Sequence, residues 1–196
     1  IRDYTKSQLT DIWNKAHKNV EIEPLLQEAK KYKSAEEYMN SQPTYYHTTP
    51  TKNVSSIEQK GFSGEIGKQS QATGGDMQKG VFLYPEKDSA EFFKRNFDDA
   101  SIIETRVDGK VYDANTQTKY GWEDDLQITE IAKDKKIIDQ LKKDGFVGVQ
   151  STEMGTDATF IFEPKVIKTK SQLTEIWNKA HKEVKPEVKL EEKPIP

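Results

Sequence analysis

The sequence predicts an α+β fold. Short runs rich in aromatic and β-branched residues crowd the chain from Tyr45 onward: "TYYHT", "GVFLY", "SIIETRV", "KVYDA", "FVGVQS" and "ATFIFEP". Runs of that composition fit a pleated, half-buried surface. The helical stretches between them are short, and the segment ahead of them patterns as helix. Regular alternation of strands with long helices would instead argue for a parallel sheet.

The elements follow in chain order. "TKSQLTDIWNKAHK" (5–18) reads as an amphipathic helix, with Ser7 as candidate N-cap and Leu9, Ile12, Trp13 and Ala16 on one face. "EIEPLLQEAKKYKSAEEYMNSQ" (21–42) reads as helix with a break near Lys33–Ser34, where "SAEE" resembles a capping box. Further helices are expected at Ser55–Lys60, Lys87–Asn96 and Asp134–Lys143, the last ending at "DG". "GGDMQKG" (74–80) precedes a strand and reads as a mobile loop. Residues 113–133, with Tyr120 and Trp122 in polar company, read as a loop suited to meeting an acceptor, although a core-packing Trp122 fits as well.

The first helix returns near the end as "TKSQLTEIWNKAHK" (169–182), changed only at Asp11 against Glu175, with Ser171 as its candidate cap. The separation far exceeds any solenoid repeat. Each copy reads as the tail of a module in a longer polypeptide, which also explains His17 and His181 without chemistry. Duplication of a packing helix within one domain is the plain alternative. "VKPEVKLEEKPIP" (184–196) is a charged, proline-rich linker. The expected division is a helical segment over 1–42, a compact domain over 43–168, and a repeat helix with linker over 169–196.

Composition narrows the function. Hydrophobic residues at 33% and charged residues at 32% supply one modest core with solvated arms. A net charge of −3 gives no sign of a nucleic-acid backbone as the main partner. The absence of cysteine excludes disulfides, thiol catalysis and cysteine-bound zinc, and fits a reducing cytoplasm. No apolar run approaches membrane-spanning length, and "IRDYTKSQLT" has neither a starting Met nor a signal-peptide pattern, so a fragment of a larger chain is expected.

P-loop and nucleophile-elbow motifs are absent, and the scattered histidines do not suggest a metal site. Paired acids such as Asp124-Asp125 and Glu36-Glu37 read as solvated surface. The remaining feature is the order around His47: a strand ending in "YYHTT", a short helix "NVSSIEQKGF", a glycine-rich loop, then "GVFLYPEKDSAEFF". These segments, with the terminal "DGFVGVQSTEMGTDATFIFEPKVIK", resemble the ADP-ribosyltransferase fold in its histidine-bearing branch. That branch includes the diphtheria-toxin-like and poly-ADP-ribose-polymerase-like enzymes and modules of phage and mobile-element polyproteins. The likeness covers 43–168.

The resemblance implies an α+β domain of two packed, split β-sheets, flanked by the N-terminal helices and the C-terminal helix. It implies NAD as substrate. His47 would bond the adenosine ribose, while Thr48, the backbone after His47 and the neighbouring Thr49 hold the nicotinamide amide. An aromatic of "GVFLY" (Phe82 or Tyr84) would stack on the nicotinamide, with Phe92 or Phe93 on its other side. A late-strand glutamate would bond the ribose and stabilise the developing oxocarbenium ion. The expected product is a mono-ADP-ribosylated host macromolecule in a bacterial cytoplasm, with a protein acceptor favoured over nucleic acid, and with the module acting as a monomer.

Two departures qualify this. Phe82 occupies the family's tyrosine position, with Tyr84 two residues later on the same strand face. Ala158 occupies the position of the catalytic glutamate. Either the acid is displaced to Glu153 or Asp157, or the module is a silent nucleotide- or protein-binding relative, or a glutamate has been replaced on purpose. Aromatics such as Phe82, Phe92 and Phe93 are also ordinary core residues.

Overall fold

In the computed structural model, residues 5, 24–64, 77–117, 119–122 and 126–182 are described. The first repeat copy beyond Thr5, the first three residues of the glycine-rich loop (74–76), the acids Asp124-Asp125 and the linker at 184–196 lie outside these residues. The fold is α+β, with one three-stranded and one four-stranded sheet.

After a helical stretch over 24–29, α1 spans Ala35–Asn40. Its N-cap is Ser34, whose side chain accepts from the Glu37 amide, while the Glu37 carboxylate accepts from the Lys33 amide. The "SAEE" signal therefore forms, with the return bond shifted by one residue. Strand β1 (Thr44–Pro50) leads into α2 (Val54–Lys60), then β2 (Val81–Leu83) and α3 (Lys87–Lys94). Strands β3 (Ala100–Val107) and β4 (Lys110–Asp113) follow. Helices α4 (Ile128–Lys133) and α5 (Lys135–Lys143) precede β5 (Phe146–Glu153), β6 (Thr156–Ile161), β7 (Ile167–Thr169) and α6 (Lys170–His181).

The sheet orders are β1-β3-β7 and β2-β6-β5-β4, with β4–β5 the parallel pair. Tyr45, Val81, Leu83, Val107, Ile161 and Ile167 come from both sheets and form one buried cluster, so the sheets pack through their inner faces. A second cluster seats α3, α4 and α5 on the four-stranded sheet through Ala90, Ile131, Ile138, Leu141, Val149 and Phe160. Gly80, just before β2, is required by close approach. A Cβ there would lie 2.2 Å from the Phe160 ring and 2.8 Å from the Ile161 carbonyl oxygen.

The sheets meet at a seam. Tyr46 and Tyr84 exchange backbone hydrogen bonds at 2.8 Å in both directions, an isolated antiparallel bridge. Continued pairing would next join Thr48 to Phe82. Instead the strands part, and a cleft opens on that side.

Several expectations change here. Residues 128–133, read as part of a loop, form α4, because Ile128, Ile131 and Ala132 are fully buried against the core. Tyr120 stacks on Trp122 at 5.0 Å, and both rings meet Tyr112 edge-on. This aromatic pair is half-buried packing, pinned by the Asp144 carboxylate, which accepts from Tyr120 Oη and Lys119 Nζ. The cap of α6 is Thr169, not Ser171. The Thr169 hydroxyl accepts from the Gln172 amide while the Gln172 side chain accepts in return, because β7 runs straight into the helix and leaves Thr169 extended at φ −81°, ψ 166°.

Helix α6 packs against the N-terminal helices. Leu173 and Ile176 close a separate buried cluster with Leu25, Ala29, Tyr38 and Met39. Buried Arg106 ties that unit to the sheet by donating to the Met39 and Thr105 carbonyls and to the Glu104 carboxylate. Among the described residues, no helix is long and apolar enough to cross a membrane.

Candidate functional site

The cleft opening from the seam has a volume of about 760 Å³, within the usual range of ligand sites. Its walls come from β1, α2, the start of β2, α3, α4 and the β5–β6 hairpin. Segments far apart in the chain therefore share one cavity.

His47 sits where the strands part. Its Nδ1–H donates to the Phe82 carbonyl oxygen at 2.9 Å, taking up an acceptor that a continued ladder would have used. The Phe62 ring meets it edge-on at 5.0 Å. Burial lowers the histidine's pKa below its ordinary 6.5, opposed by the bond to Phe82. The ring is thus neutral at pH 7, and its bare Nε2 is a hydrogen-bond acceptor. Thr48 and Thr49 are buried beside it, and the Thr48 hydroxyl is committed to the Ala90 carbonyl at 2.8 Å. That bond fixes α3 to β1. It leaves the Thr48 backbone, rather than its side chain, for any ligand.

Farther in, Tyr84 and Phe93 stack on each other at 4.7 Å with planes 16° apart. That separation is one ring-on-ring contact and leaves no space for a third ring between them, so the two side chains must part to admit one. Phe82 lines the cleft and tilts against Phe160 at 4.9 Å. Phe92 does not line it. That ring is 43% exposed and meets Phe93 edge-on, because Ala90 fixes which helix face turns inward and Phe93 lies three residues on.

The β5–β6 hairpin places the acids. Glu153 pairs with Thr156 across a two-residue turn, Met154-Gly155, with φ of 53° and 76°. Both turn residues are left-handed, as a tight hairpin requires. Met154 is an uncommon residue there and is also 71% exposed. Ser151 pairs with Ala158, so Glu153 and Ala158 lie on the same sheet face as diagonal neighbours. Both line the cleft.

Ala158 is buried, with only a methyl group to offer. Glu153 is the only acid among the described lining residues. Its carboxylate accepts from Thr129 Oγ1 at 2.9 Å and from the Thr129 amide at 3.2 Å. Its charge also helps burial to raise the pKa of Tyr84 far above the ordinary range. Asp157, by contrast, is exposed, outside the cleft, and bonded to Asn115 Nδ2 at 3.1 Å. Strand alternation turns it away from the face that carries Ala158.

Sequence reading did not single out Thr129, Phe62, Asn53 or Met154. The start of α4 did carry a signal, since Gln127 and Glu130 form a capping box that sets Thr129 beside Glu153. Among the described residues, no group of three or more His, Cys, Asp or Glu could hold a metal ion. No protein-family model, curated protein or solved structure matches the chain.

Proposed function

We propose that this chain is a mono-ADP-ribosyltransferase module of the histidine-bearing branch, with NAD as its substrate. The observation that carries this reading is convergence. His47, Phe82, Tyr84, Phe93 and the face bearing Ala158 and Glu153 were singled out from separate sequence segments, and all line one cleft. A neutral His47 offers Nε2 to a ribose hydroxyl. Tyr84 and Phe93 part to clamp the nicotinamide, a motion that makes the clamp selective for flat rings. Glu153, one strand over from Ala158 on the same face, supplies negative charge where positive charge develops on the ribose. The acceptor is a host macromolecule in a bacterial cytoplasm, a protein in preference to nucleic acid.

Ala158 favours a second reading, a silent module that binds nucleotide without turnover. Transfer of label from NAD into a bacterial lysate separates the two. The parent chain is expected to label acceptors, and Glu153→Gln to lower labelling by about 10²–10³, the usual cost of losing one transition-state electrostatic partner. Gln keeps the acceptor oxygen for Thr129, so the hairpin stays in place. NAD binding without labelling by the parent supports the silent reading. Absence of both binding and labelling removes NAD from the account.

A further inference from the structure

Helix α6 lies in an apolar groove made by the N-terminal helices, with Leu173 and Ile176 buried against Leu25, Ala29, Tyr38 and Met39. Trp177 Nε1 donates to the Tyr32 carbonyl at 3.1 Å, and Thr174 Oγ1 approaches Met39 Sδ at 3.9 Å. The cap uses Thr169 and Gln172. Thr169 and Ser171 also donate to the Glu58 carboxylate on α2, the helix that lines the cleft with Ser56 and Ile57. Every one of these α6 residues recurs in the segment 5–18, at Thr5, Ser7, Gln8, Leu9, Thr10, Ile12 and Trp13. The only difference, Asp11 for Glu175, falls on the exposed face of α6.

We propose that the groove over residues 25–39 is a receptor for this helix sequence and that residues 5–18 of the same chain compete with α6 for it. Identity at each contacting position makes the first copy chemically equivalent inside the groove. Residues 19–23 join it to the helical stretch that begins at residue 24, and a five-residue tether, whose span from residue 18 to residue 24 is at most about 20 Å, keeps it at high effective concentration. Outside the groove the copies differ. Ile167 and Lys168 extend α6 into β7, where Ile167 is buried and pairs with Val107, whereas Asp3 and Tyr4 precede Thr5. The second copy is therefore the stronger occupant. Because either copy would present the same Thr and Ser to Glu58, exchange leaves the cleft-lining helix held while releasing α6 from the groove.

A photo-reactive benzoyl-phenylalanine at Tyr32, in the full chain, tests this. Tryptic peptides 7–15 and 171–179 differ by the single methylene between Asp11 and Glu175, so mass spectrometry assigns each cross-link to its copy. The expected result is a dominant second-copy product with a minor first-copy product, both in monomeric chains. Ile176→Ala should raise the ratio of first to second copy at least about tenfold, the factor that a buried Ile truncation supplies. In the unsubstituted helix, an added peptide of sequence 5–18 should lower the second-copy product. First-copy product that is absent from both chains, or present only in cross-linked dimers, overturns the proposal. So does a peptide that leaves the second-copy product unchanged.

Discussion

Replacing Ala158 by Glu tests the geometry of the site without assuming any activity. The register pairs Ser151 with Ala158 and Glu153 with Thr156, so the new carboxylate and Glu153 become diagonal neighbours on one face. Diagonal positions are about 7–8 Å apart. Two charges at that distance repel by roughly 2 kcal/mol at an effective dielectric constant of 20. The cost of fitting a Glu where a buried methyl stood comes in addition, and it appears in both arms of a double-mutant cycle with Glu153→Gln. The cycle therefore isolates the repulsion. Urea unfolding of the four proteins at pH 7 is expected to give a coupling of about 2 kcal/mol, reduced in high salt. The sign also has a pH signature. Repulsion raises the folded-state pKa of the pair, so the folded chain binds more protons than the unfolded one as the pH falls, and the penalty shrinks on acidification. Additivity within about 0.5 kcal/mol would refute the shared face, and with it the proposal that Glu153 stands in for the acid that the resemblance expects at Ala158.

Burial holds folded His47 below its ordinary 6.5. As the pH falls through 6.5, the unfolded chain gains a proton before the folded one, and stability declines until both are protonated. His47→Asn keeps a donor for the Phe82 carbonyl but cannot titrate. Thermal melts between pH 7.5 and about 5 should show a smaller acid-induced fall for that variant than for the parent; equal falls would place the proton uptake elsewhere. Gly80→Ala forces a Cβ to within 2.3 Å of two Phe160 ring atoms and 2.8 Å of a backbone oxygen, so a loss of about 1–3 kcal/mol in urea unfolding is expected. An unchanged midpoint would mean that the start of β2 can move away from the buried Phe160.

What the sequence made legible follows the range of the interaction. The strands were readable because aromatic and β-branched runs report their own half-burial, and the helix read over Asp134–Lys143 forms as α5, where Asp134 serves the amides of Lys136 and Ile137 within three residues of itself. Helix α4 was missed because six residues are too short to display a helical period. Its evidence was the Gln127–Glu130 box inside an otherwise polar stretch. Thr169 displaced Ser171 as a cap for a similar reason: the extended backbone of β7 decides which hydroxyl faces the free amides, and β7 pairs with a strand some sixty residues earlier.

The site divides along the same line. Period alone could have preferred Phe93 to Phe92, since Phe93 shares a helix face with Ala90. Alternation alone could have set Asp157 aside, since it cannot share a strand face with Ala158. Neither rule reaches Glu153. Its place beside Ala158 depends on a two-residue turn in which Met154 adopts φ 53°, a conformation that side chains usually avoid and that "EMGT" does not announce as "NG" would. The same holds for His47. Its bond to Phe82 exists because two sheets that pair once, at Tyr46 and Tyr84, then diverge. A histidine at a strand end is ordinary. A histidine that takes up the carbonyl left over where two sheets part is held in one tautomer at the wall of a cleft, and only the packing of the sheets makes it so.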